Sequence, residues 1–292
     1  MHLTATDLHV DFSGDLEAAL AKARHLYATF GGFVAARLFD AADLTPIHEE
    51  LGRLIALAAR EVDGFSLPSP RTRFDEGFHA LHEEAPAAAD AVIQAARRLT
   101  TVHELSVNPR LLSVSRRLMG TELVMSNPYK PIRVDYAERE HFLLPWHQDY
   151  PYAQDSMDAV VHWIPLQDVD EQNGCLKVAP GSHELGVVPV KMILPPEGST
   201  HGIRGLQIAD PSVVERFPQV SLPMKFGDVL VFSTLLLHRS QLNLTGEARW
   251  TAQVRHGNFE HPLSVQKRWP RGHYERHWFD ETHPEYVRPA GS

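Results

Sequence analysis

The 292-residue sequence has almost no cysteine and no long apolar run. Its single cysteine, Cys175, cannot form an intrachain disulfide, so we expect a reducing compartment and take the cytoplasm as the default location. The N-terminal stretch MHLTATDLHVDFSGD has early acidic residues and lacks the apolar segment of a secretory signal. No apolar run approaches the ~18 residues that a membrane-spanning helix needs, so we expect no membrane partner.

Basic residues are scarce relative to acidic ones. The chain has 28 Lys and Arg against 37 Asp and Glu, which gives a formal net charge of -9. A surface of this sign repels a phosphate backbone, so we expect no nucleic-acid partner. Hydrophobic residues at 43% and charged residues at 22% exclude a disordered, collagen-like or disulfide-stapled chain. Histidine is abundant, with 18 residues that can bind metals or carry protons.

Apolar residues at helical spacing dominate the chain up to about residue 120. They predict helices at LEAALAKARHLYATFGG, closed by Gly31 and Gly32, at LTPIHEELGRLIALAAREV after Asp43, and at Pro86 to Leu99 and Pro109 to Met119. Between the first two helices, GFVAARLF is short, apolar and β-like. We therefore interpret residues 1–120 as a mainly helical support.

From about residue 121 the pattern changes to short β-rich runs separated by turn residues, which predicts a sandwich or jelly roll. The runs include ELVMSNPYKPIRVDYA, DAVVHWIPLQDV, GVVPVKMIL, DVLVFSTLLLHRS and RWTAQVRHGNF. The expected fold is mostly β with N-terminal helices, in one domain. Its β core occupies residues 121–260, and 261–292 form a C-terminal extension.

One segment of the β-rich part, Leu194 to Pro218, is rich in turn formers and has little periodicity. We interpret it as a long loop with one helical turn, because long loops inside compact domains usually carry function. It is either a mobile lid, with Gly198, Gly202 and Gly205 as hinges, or a passive surface insertion.

Two histidines and one aspartate form a candidate metal site. His147 and Asp149 follow the strand-like stretch FLLPW, and residues two apart on a strand project to the same face. His238 ends the apolar run VLVFSTLLLH, which is expected to be another inner strand. Two imidazoles and one carboxylate form the facial triad that suits non-haem Fe(II). Any His-rich strand can also produce an HxD pair, so a purely structural pair is the alternative that spacing leaves open.

A guanidinium and a hydroxyl follow the second histidine. Ser240 lies two residues beyond His238, and Arg249 lies eleven residues beyond it in the strand-like run RWTAQVR. Together they can clamp a carboxylate. A structural salt bridge or a solvated strand end is the alternative for Arg249 taken alone.

The chain from Gly32 to Asn258 resembles the phytanoyl-CoA dioxygenase-like family of Fe(II)- and 2-oxoglutarate-dependent dioxygenases. The matching motifs, in order, are WHQDYPYAQDSMDAVVHWIPLQDVDEQNGCLKVAPGSH, GDVLVF and HRSQLNLTGEAR. The resemblance implies a double-stranded β-helix, a jelly roll of the cupin-like kind. It implies His147, Asp149 and His238 as Fe(II) ligands, and Arg249 with Ser240 on the distal carboxylate of 2-oxoglutarate. Trp163 falls where family members have an inner-strand Trp beside the cosubstrate, and plain core packing is its alternative.

The resemblance also implies the reaction. With O2, 2-oxoglutarate is converted to succinate and CO2 while a small-molecule substrate is oxidised. Halogenases of the family lack the triad carboxylate, so Asp149 favours hydroxylation, or a related desaturation, epimerisation or ring closure. The acidic composition argues against a CoA thioester, whose phosphates favour a basic rim. These motifs indicate neither the primary substrate nor the oligomeric state.

Two other functions use the same residues. A metallohydrolase would hold zinc and an activated water at the triad, but it leaves Arg249 and Ser240 without a task. A non-catalytic ligand-binding module on a dioxygenase scaffold is the second alternative.

Further polar residues lie near these motifs or in the tail. Lys130 and Arg133 are expected on a solvated strand face, with contact to an anion in the pocket as the alternative. The cluster His273, His277 and His283 is interpreted as a solvated tail, since it lacks the Cys partners of a structural zinc site.

Overall fold

The computed structural model describes residues 3–67, 74–135, 143–193, 205–272 and 278–288. The helices of the described residues lie mainly before residue 120. They are α1 (Leu16–Phe30), α2 (Ala41–Arg60), α3 (Phe74–Glu84), α4 (Pro86–Ala96), α5 (Thr100–Ser106), α6 (Pro109–Met119), α7 (Tyr150–Ala153), α8 (Pro262–Gln266) and α9 (Phe279–Thr282). Short 3-10 helices cover Ala5–Leu8, Ser182–Leu185, Pro211–Arg216 and Pro284–Tyr286. Among the described helices, none is both long and apolar enough to cross a membrane.

The strands of the described residues are short, apart from one of ten residues. They are β1 (His9–Asp11), β2 (Gly32–Ala36), β3 (Val124–Ser126), β4 (Ile132–Asp135), β5 (Val160–Pro165), β6 (Lys177–Val178), β7 (Val190–Ile193), β8 (Gly205–Ile208), β9 (Val220–Ser221), β10 (Val229–Ser233), β11 (His238–Arg239), β12 (Arg249–Asn258) and β13 (Val287–Arg288).

A seven-stranded sheet forms the centre of the molecule. Its order is β1-β2-β10-β5-β12-β3, and β4 also pairs with β12. The strands pair antiparallel except for β1 and β2, which are parallel. Both β1 and β2 come from the part of the chain that was expected to be mainly helical. Two three-stranded sheets, β11-β6-β9 and β13-β7-β8, complete the β structure of the described residues.

The large sheet lies between the helices and the sheet β11-β6-β9. Alternation along β5 shows the division, since Val160 and Ile164 pack in the cluster of the helices whereas Val161 and Trp163 pack with Val178 of β6. Successive side chains of a strand point to opposite faces, so one strand serves both cores. The inner face of the large sheet therefore looks toward the strand that carries His238.

The predicted helix ends are partly confirmed. The Asp15 side chain accepts hydrogen bonds from Glu17 N and Ala18 N, and α1 ends at Gly31 with a φ of 80°. Helix α6 has the predicted bounds. The start of α2 was predicted too late, because Asp43 is not the cap. Its carboxylate instead accepts the Asp40 N–H at 2.7 Å, three residues inside the helix start.

Two regions differ from expectation. Helices α3 and α5 were not predicted, and α4 ends at Ala96 rather than Leu99. The predicted loop from Leu194 to Pro218 contains strand β8 and the 3-10 helix Pro211–Arg216, while 194–204 lie outside the described residues. The lid hypothesis for this segment stays a prediction.

The C-terminal extension packs onto the β core. His283, expected in a solvated tail, is instead fully buried, and its Nε2 lies 2.9 Å from the Tyr150 hydroxyl. The prediction was wrong for this residue because its contact is 133 positions away in the sequence. His273 and His277 lie outside the described residues.

A chain of hydrogen bonds ties the helices to the outer face of the large sheet. Ser115 Oγ lies 2.8 Å from both His162 Nε2 and His256 Nδ1, and His256 Nε2 lies 2.9 Å from Ser106 O. The carbonyl can only accept, so His256 donates from Nε2 and its Nδ1 accepts from Ser115. These three hydrogen bonds form with both imidazoles neutral, whereas His162 Nδ1 is buried without a hydrogen-bond partner among the described residues. Burial lowers the pKa of His256 to about 4.

We expect this buried imidazole to make the fold acid-sensitive. Below the ordinary His pKa of about 6.5, His256 is protonated in the unfolded chain but stays neutral in the folded protein. The free energy of unfolding therefore falls between about pH 6.5 and pH 4. The free energy of unfolding, measured with urea, should fall between about pH 7 and pH 4.5 in the parent. In His256→Asn this fall should be smaller by ~2–3 kcal/mol. The exposed His103→Asn is the control and should keep the parental slope. An equal slope in His256→Asn would contradict the assignment.

Candidate functional site

The two histidines of the candidate metal site meet across a backbone bridge. His147 N donates to His238 O at 3.0 Å, and His238 N donates to His147 O at 3.1 Å. Their rings lie 4.2 Å apart between centroids. Neither histidine lies in the strand expected for it. The run VLVFSTLLLH is divided into β10 and β11, and the described part of the FLLPW stretch is not a strand.

Backbone carbonyls fix which nitrogen of each ring faces the site. His147 Nδ1 lies 2.7 Å from Pro145 O, and His238 Nδ1 lies 3.0 Å from Leu236 O. A carbonyl can only accept, so both Nδ1 atoms carry the proton and both Nε2 atoms present a lone pair. Burial, together with the neighbouring His147, lowers the pKa of His238 to about 3, which favours the neutral ligand form.

The carboxylate of Asp149 completes the group. Its Oδ1 lies 3.6 Å from His147 Nε2 and 3.7 Å from His238 Nε2. Asp149 does not continue a strand, because it has helical backbone angles and caps α7. One ligand atom from each of the three buried residues lies within 4.8 Å of the others, and this is the only such group among the described residues. Two imidazoles and a carboxylate fit an octahedral divalent ion with open positions.

An arginine that the sequence did not suggest holds the other oxygen of Asp149. Arg255 Nε donates to Asp149 Oδ2 at 2.9 Å, and Arg255 Nη2 lies 2.8 Å from the same oxygen. Burial alone would raise the pKa of Asp149, but the positive charge of the neighbouring Arg255 lowers it below its usual range. Asp149 is thus ionised and oriented, with Oδ1 directed at the imidazoles.

A cavity of about 380 Å³ opens above this group. The three candidate ligands line it, and so do Arg249 and Ser240. Both lie on the inner side of the core, Ser240 just after β11 and Arg249 at the start of β12. The candidate metal ligands and the candidate carboxylate clamp therefore face one space.

Arg249 forms a buried ion pair and keeps two donors without a described partner. Its Nη2 lies 2.6 Å from Asp135 Oδ2, and Arg133 Nη2 lies 3.3 Å from Asp135 Oδ1. Burial favours a raised pKa for Asp135, but Arg249 and Arg133 lower it. Nε and Nη1 of Arg249 are buried and have no hydrogen-bond partner among the described residues. These two donors of Arg249 can therefore bind a further anion.

Trp163 packs against this cluster. The Arg249 guanidinium carbon lies 5.4 Å from the Trp163 ring centroid, and the indole is 2% exposed and lines the cavity. The ring thereby restricts the guanidinium plane. Trp163 therefore combines the two expected environments, because it packs in the core and also lines the cavity.

Lys130 and Arg133 occupy different environments. Lys130 precedes β4, is 7% exposed, and donates from Nζ to Asn127 O at 2.9 Å. The expected solvated strand face was wrong for Lys130, because the loop folds its amine back onto the backbone. Arg133 lies in β4 and lines the cavity.

Arg255 and Asp135 are the site residues that sequence reasoning missed. Alternation along β12 could have indicated Arg255, because Arg249, Gln253 and Arg255 are separated by even numbers of residues and share one face. Gln253 Oε1 accepts from Arg255 Nη2 at 2.7 Å. The opposite face of β12 carries Trp250 and Val254, which pack in the core with the helices. No comparable signal marked Asp135.

We expect Arg255→Met to weaken metal binding while the ligands themselves remain. The variant removes both nitrogens that orient Asp149, and partners of metal ligands typically contribute 10–100-fold to affinity. Titration of the metal-free protein with Co(II) measures this change. Arg98→Met, which removes an exposed charge, should bind Co(II) as the parent does. Unchanged Co(II) affinity in Arg255→Met would show that the ion pair does not orient the ligand.

Comparison with known sequences gives one family. The model of the phytanoyl-CoA dioxygenase (PhyH) family matches residues 27–251. Peroxisomal phytanoyl-CoA dioxygenase of Rattus norvegicus is 32% identical over 117 residues, which cover 39% of this chain and 33% of the rat protein. The 1-deoxypentalenic acid 11-beta-hydroxylase of Streptomyces arenae is 31% identical over 144 residues, 47% of this chain and 49% of that protein. The matched stretches thus span half or less of these relatives.

Solved structures share the fold at low identity. The non-heme alpha ketoglutarate dependent epimerase SnoN from nogalamycin biosynthesis aligns with a TM-score of 0.56, at 19% identity, over 83% of this chain and 84% of that one. EctD from S. alaskensis with bound Fe aligns with a TM-score of 0.53, at 23% identity, over 89% of this chain and 82% of that one. These likenesses concern the fold alone.

Proposed function

The chain belongs to the phytanoyl-CoA dioxygenase family, and from this membership we propose that it is an Fe(II)- and 2-oxoglutarate-dependent dioxygenase. The proposed reaction uses O2 to hydroxylate a small-molecule substrate, with release of succinate and CO2. We propose that the large sheet and the sheet β11-β6-β9 form a double-stranded β-helix. Residues 1–120 support this core and 261–292 extend it, within one cytoplasmic domain.

The observation that carries the proposal is the shared cavity. One cavity is lined by the candidate metal ligands His147, Asp149 and His238 and by the Arg249 guanidinium. It therefore offers a metal-binding group and a separate cation. A dicarboxylic keto acid can use both groups, since the metal binds its keto acid end and the cation binds its distal carboxylate. Attack by a zinc-bound water does not itself require the second. The buried Nε and Nη1 of Arg249, which have no hydrogen-bond partner among the described residues, support the assignment of a carboxylate there.

Each residue has a definite task in this proposal. His147 and His238 present Nε2 because the backbone holds Nδ1–H, and Asp149 presents Oδ1 because Arg255 holds Oδ2. Arg249 and Ser240 orient the far carboxylate of 2-oxoglutarate, and Trp163 limits the movement of the guanidinium. Bound iron supplies the oxidation chemistry with O2, while the protein fixes geometry and excludes water. The buried position of all three ligands supports that exclusion.

The carboxylate ligand favours hydroxylation, or a related desaturation, epimerisation or ring closure, over halogenation. A family member in which halide takes the place of the carboxylate would lack Asp149, whereas here it is buried and ion-paired. The Streptomyces arenae relative is named a hydroxylase, which supports the same outcome.

An anaerobic mixture of the protein with Fe(II) and 2-oxoglutarate tests the proposal. We expect a weak visible charge-transfer band that appears only when both are present. Protein loaded with Zn(II) and 2-oxoglutarate is the control and should show none. On admission of O2, candidate metabolites should stimulate succinate release and gain one oxygen by mass spectrometry. Absence of the band from iron-loaded protein, or zinc-dependent hydrolysis, would reject the dioxygenase assignment.

A further inference from the structure

One face of helix α4 lines the cavity on the side away from the core. Asp90, Ile93, Gln94 and Arg97 line the cavity, and their spacing of three, four and seven residues places them on one helix face. Arg97 is the C-cap of α4. Ala89, Val92 and Ala96 instead pack in the core cluster. The polar face of α4 is therefore a wall of the cavity and not only a solvated surface.

Arg97 has no carboxylate partner among the residues that the structure describes. Its guanidinium carbon lies 5.4 Å from the Tyr129 ring centroid, and its Nη1 donates to Gln94 Oε1 at 2.7 Å. Its Nε is buried and has no hydrogen-bond partner among the described residues, and no described carboxylate forms an ion pair with it. A half-buried guanidinium that stacks on an aromatic ring keeps donors available for a planar anion.

The charges that line the cavity point to the same conclusion. Among the described residues, the lining carries four guanidiniums, those of Arg97, Arg133, Arg249 and Arg255, and three carboxylates, those of Asp90, Asp135 and Asp149. A divalent metal and the dianion of 2-oxoglutarate cancel each other. The described part of the lining thus carries one more guanidinium than carboxylates, in a chain whose net charge is -9. Such a cavity favours a singly charged anion as the remaining occupant.

We propose that the primary substrate is a small organic acid whose carboxylate binds Arg97. This inference rests on the proposed function, because it assigns the second ligand of the same cavity. Arg249 is committed to the deep cluster with Asp135, whereas Arg97 lies on the α4 wall and is not part of that cluster. The carboxylate held at α4 directs the rest of the molecule toward the metal ligands. The cavity of about 380 Å³ suits a compact molecule.

Matched pairs of probes test the charge requirement. Hexanoate, cyclohexanecarboxylate and benzoate are titrated against their primary amides, with protein that carries Zn(II) and saturating 2-oxoglutarate. The acids should bind at least about tenfold more tightly than the amides, since a charge-assisted pair contributes that much. Arg97→Gln should remove the difference. Arg98→Gln, which deletes the neighbouring exposed charge, should keep it.

The outcomes separate the two proposals. Equal binding of acids and amides, failure of every acid to bind the parent protein, or equal loss in Arg97→Gln and Arg98→Gln would each overturn the organic-acid proposal. Tighter binding of phenyl phosphate than of benzoate would reassign the site to phosphate esters and overturn it too. The visible band with Fe(II) and 2-oxoglutarate reads the dioxygenase function independently. A present band with no acid preference rejects only the substrate class, whereas an absent band rejects the function itself.

Discussion

His147→Ala and His238→Ala should each abolish stoichiometric iron binding and nearly all 2-oxoglutarate turnover. Each variant deletes one of three protein ligands, and the remaining imidazole and carboxylate leave too many coordination positions to water. The backbone bridge between the two residues does not depend on their side chains, so the fold should persist. Metal content after Fe(II) loading and succinate formation are the two measurements. Circular dichroism checks the fold.

His183→Ala is a matched control for these variants. His183 lies in the 3-10 helix Ser182–Leu185, and its Nε2 lies 3.2 Å from Ala28 O, so it is not among the cavity ligands. It should retain iron. Asp149 is a poorer target, because its removal leaves the Arg255 charge buried without a partner, which typically costs ~3–5 kcal/mol of stability. Full iron and full turnover in either imidazole variant would refute the ligand assignment.

Arg249→Gln should raise the 2-oxoglutarate requirement by orders of magnitude while iron still binds. Truncating one side of a buried ion pair typically costs ~2–5 kcal/mol, which corresponds to about 30-fold to several thousand-fold in affinity. No hydrogen bond or ion pair among the described residues joins Arg249 to the candidate metal ligands, so Fe(II) loading should be preserved. The measurement is the dependence of the visible band on 2-oxoglutarate concentration.

The structure supplies a needed companion variant. Arg249→Gln leaves Asp135 with Arg133 as its remaining guanidinium partner in the cluster, and this could destabilise the fold for reasons unrelated to the cosubstrate. The double variant Arg249→Gln/Asp135→Asn removes that charge and should show the same loss of 2-oxoglutarate affinity. Asp135→Asn alone should retain most of the affinity, because it leaves the Arg249 charge in place. Unchanged 2-oxoglutarate dependence in the double variant would move the carboxylate clamp to another residue.

Local sequence was sufficient where a local cause sets the structure. Asp15 and Gly31 begin and end α1 through contacts within a few residues, and the alternating run RWTAQVRHGN forms β12 as expected. The start of α2 was missed because Asp40 and Asp43 are both good caps in isolation, and only the backbone decides between them. Helix α5 was missed because seven residues are too few for a clear helical period.

The candidate ligands were found for a reason that was only partly right. Spacing and resemblance selected His147, Asp149 and His238, and the structure brings them together. The expected geometry was two inner strands, whereas the structure uses a two-residue bridge and the first turn of a helix. The residue types were sufficient to predict the kind of site, whereas the local backbone conformation of these residues was not predicted.

The sequence by itself determined the residue types of the metal site, the strand that carries Arg249 and the family. Each of these follows from short spacings or from ordered motifs, which can be read in the sequence without the fold. Only the tertiary structure decided that Arg255 holds Asp149 across 106 residues of sequence and that Arg249 and Arg133 both pair with Asp135. It also decided that α4 places Arg97 at the cavity. The physical reason is that a buried charge needs a partner in space, and burial is a property of the folded chain that no local pattern contains.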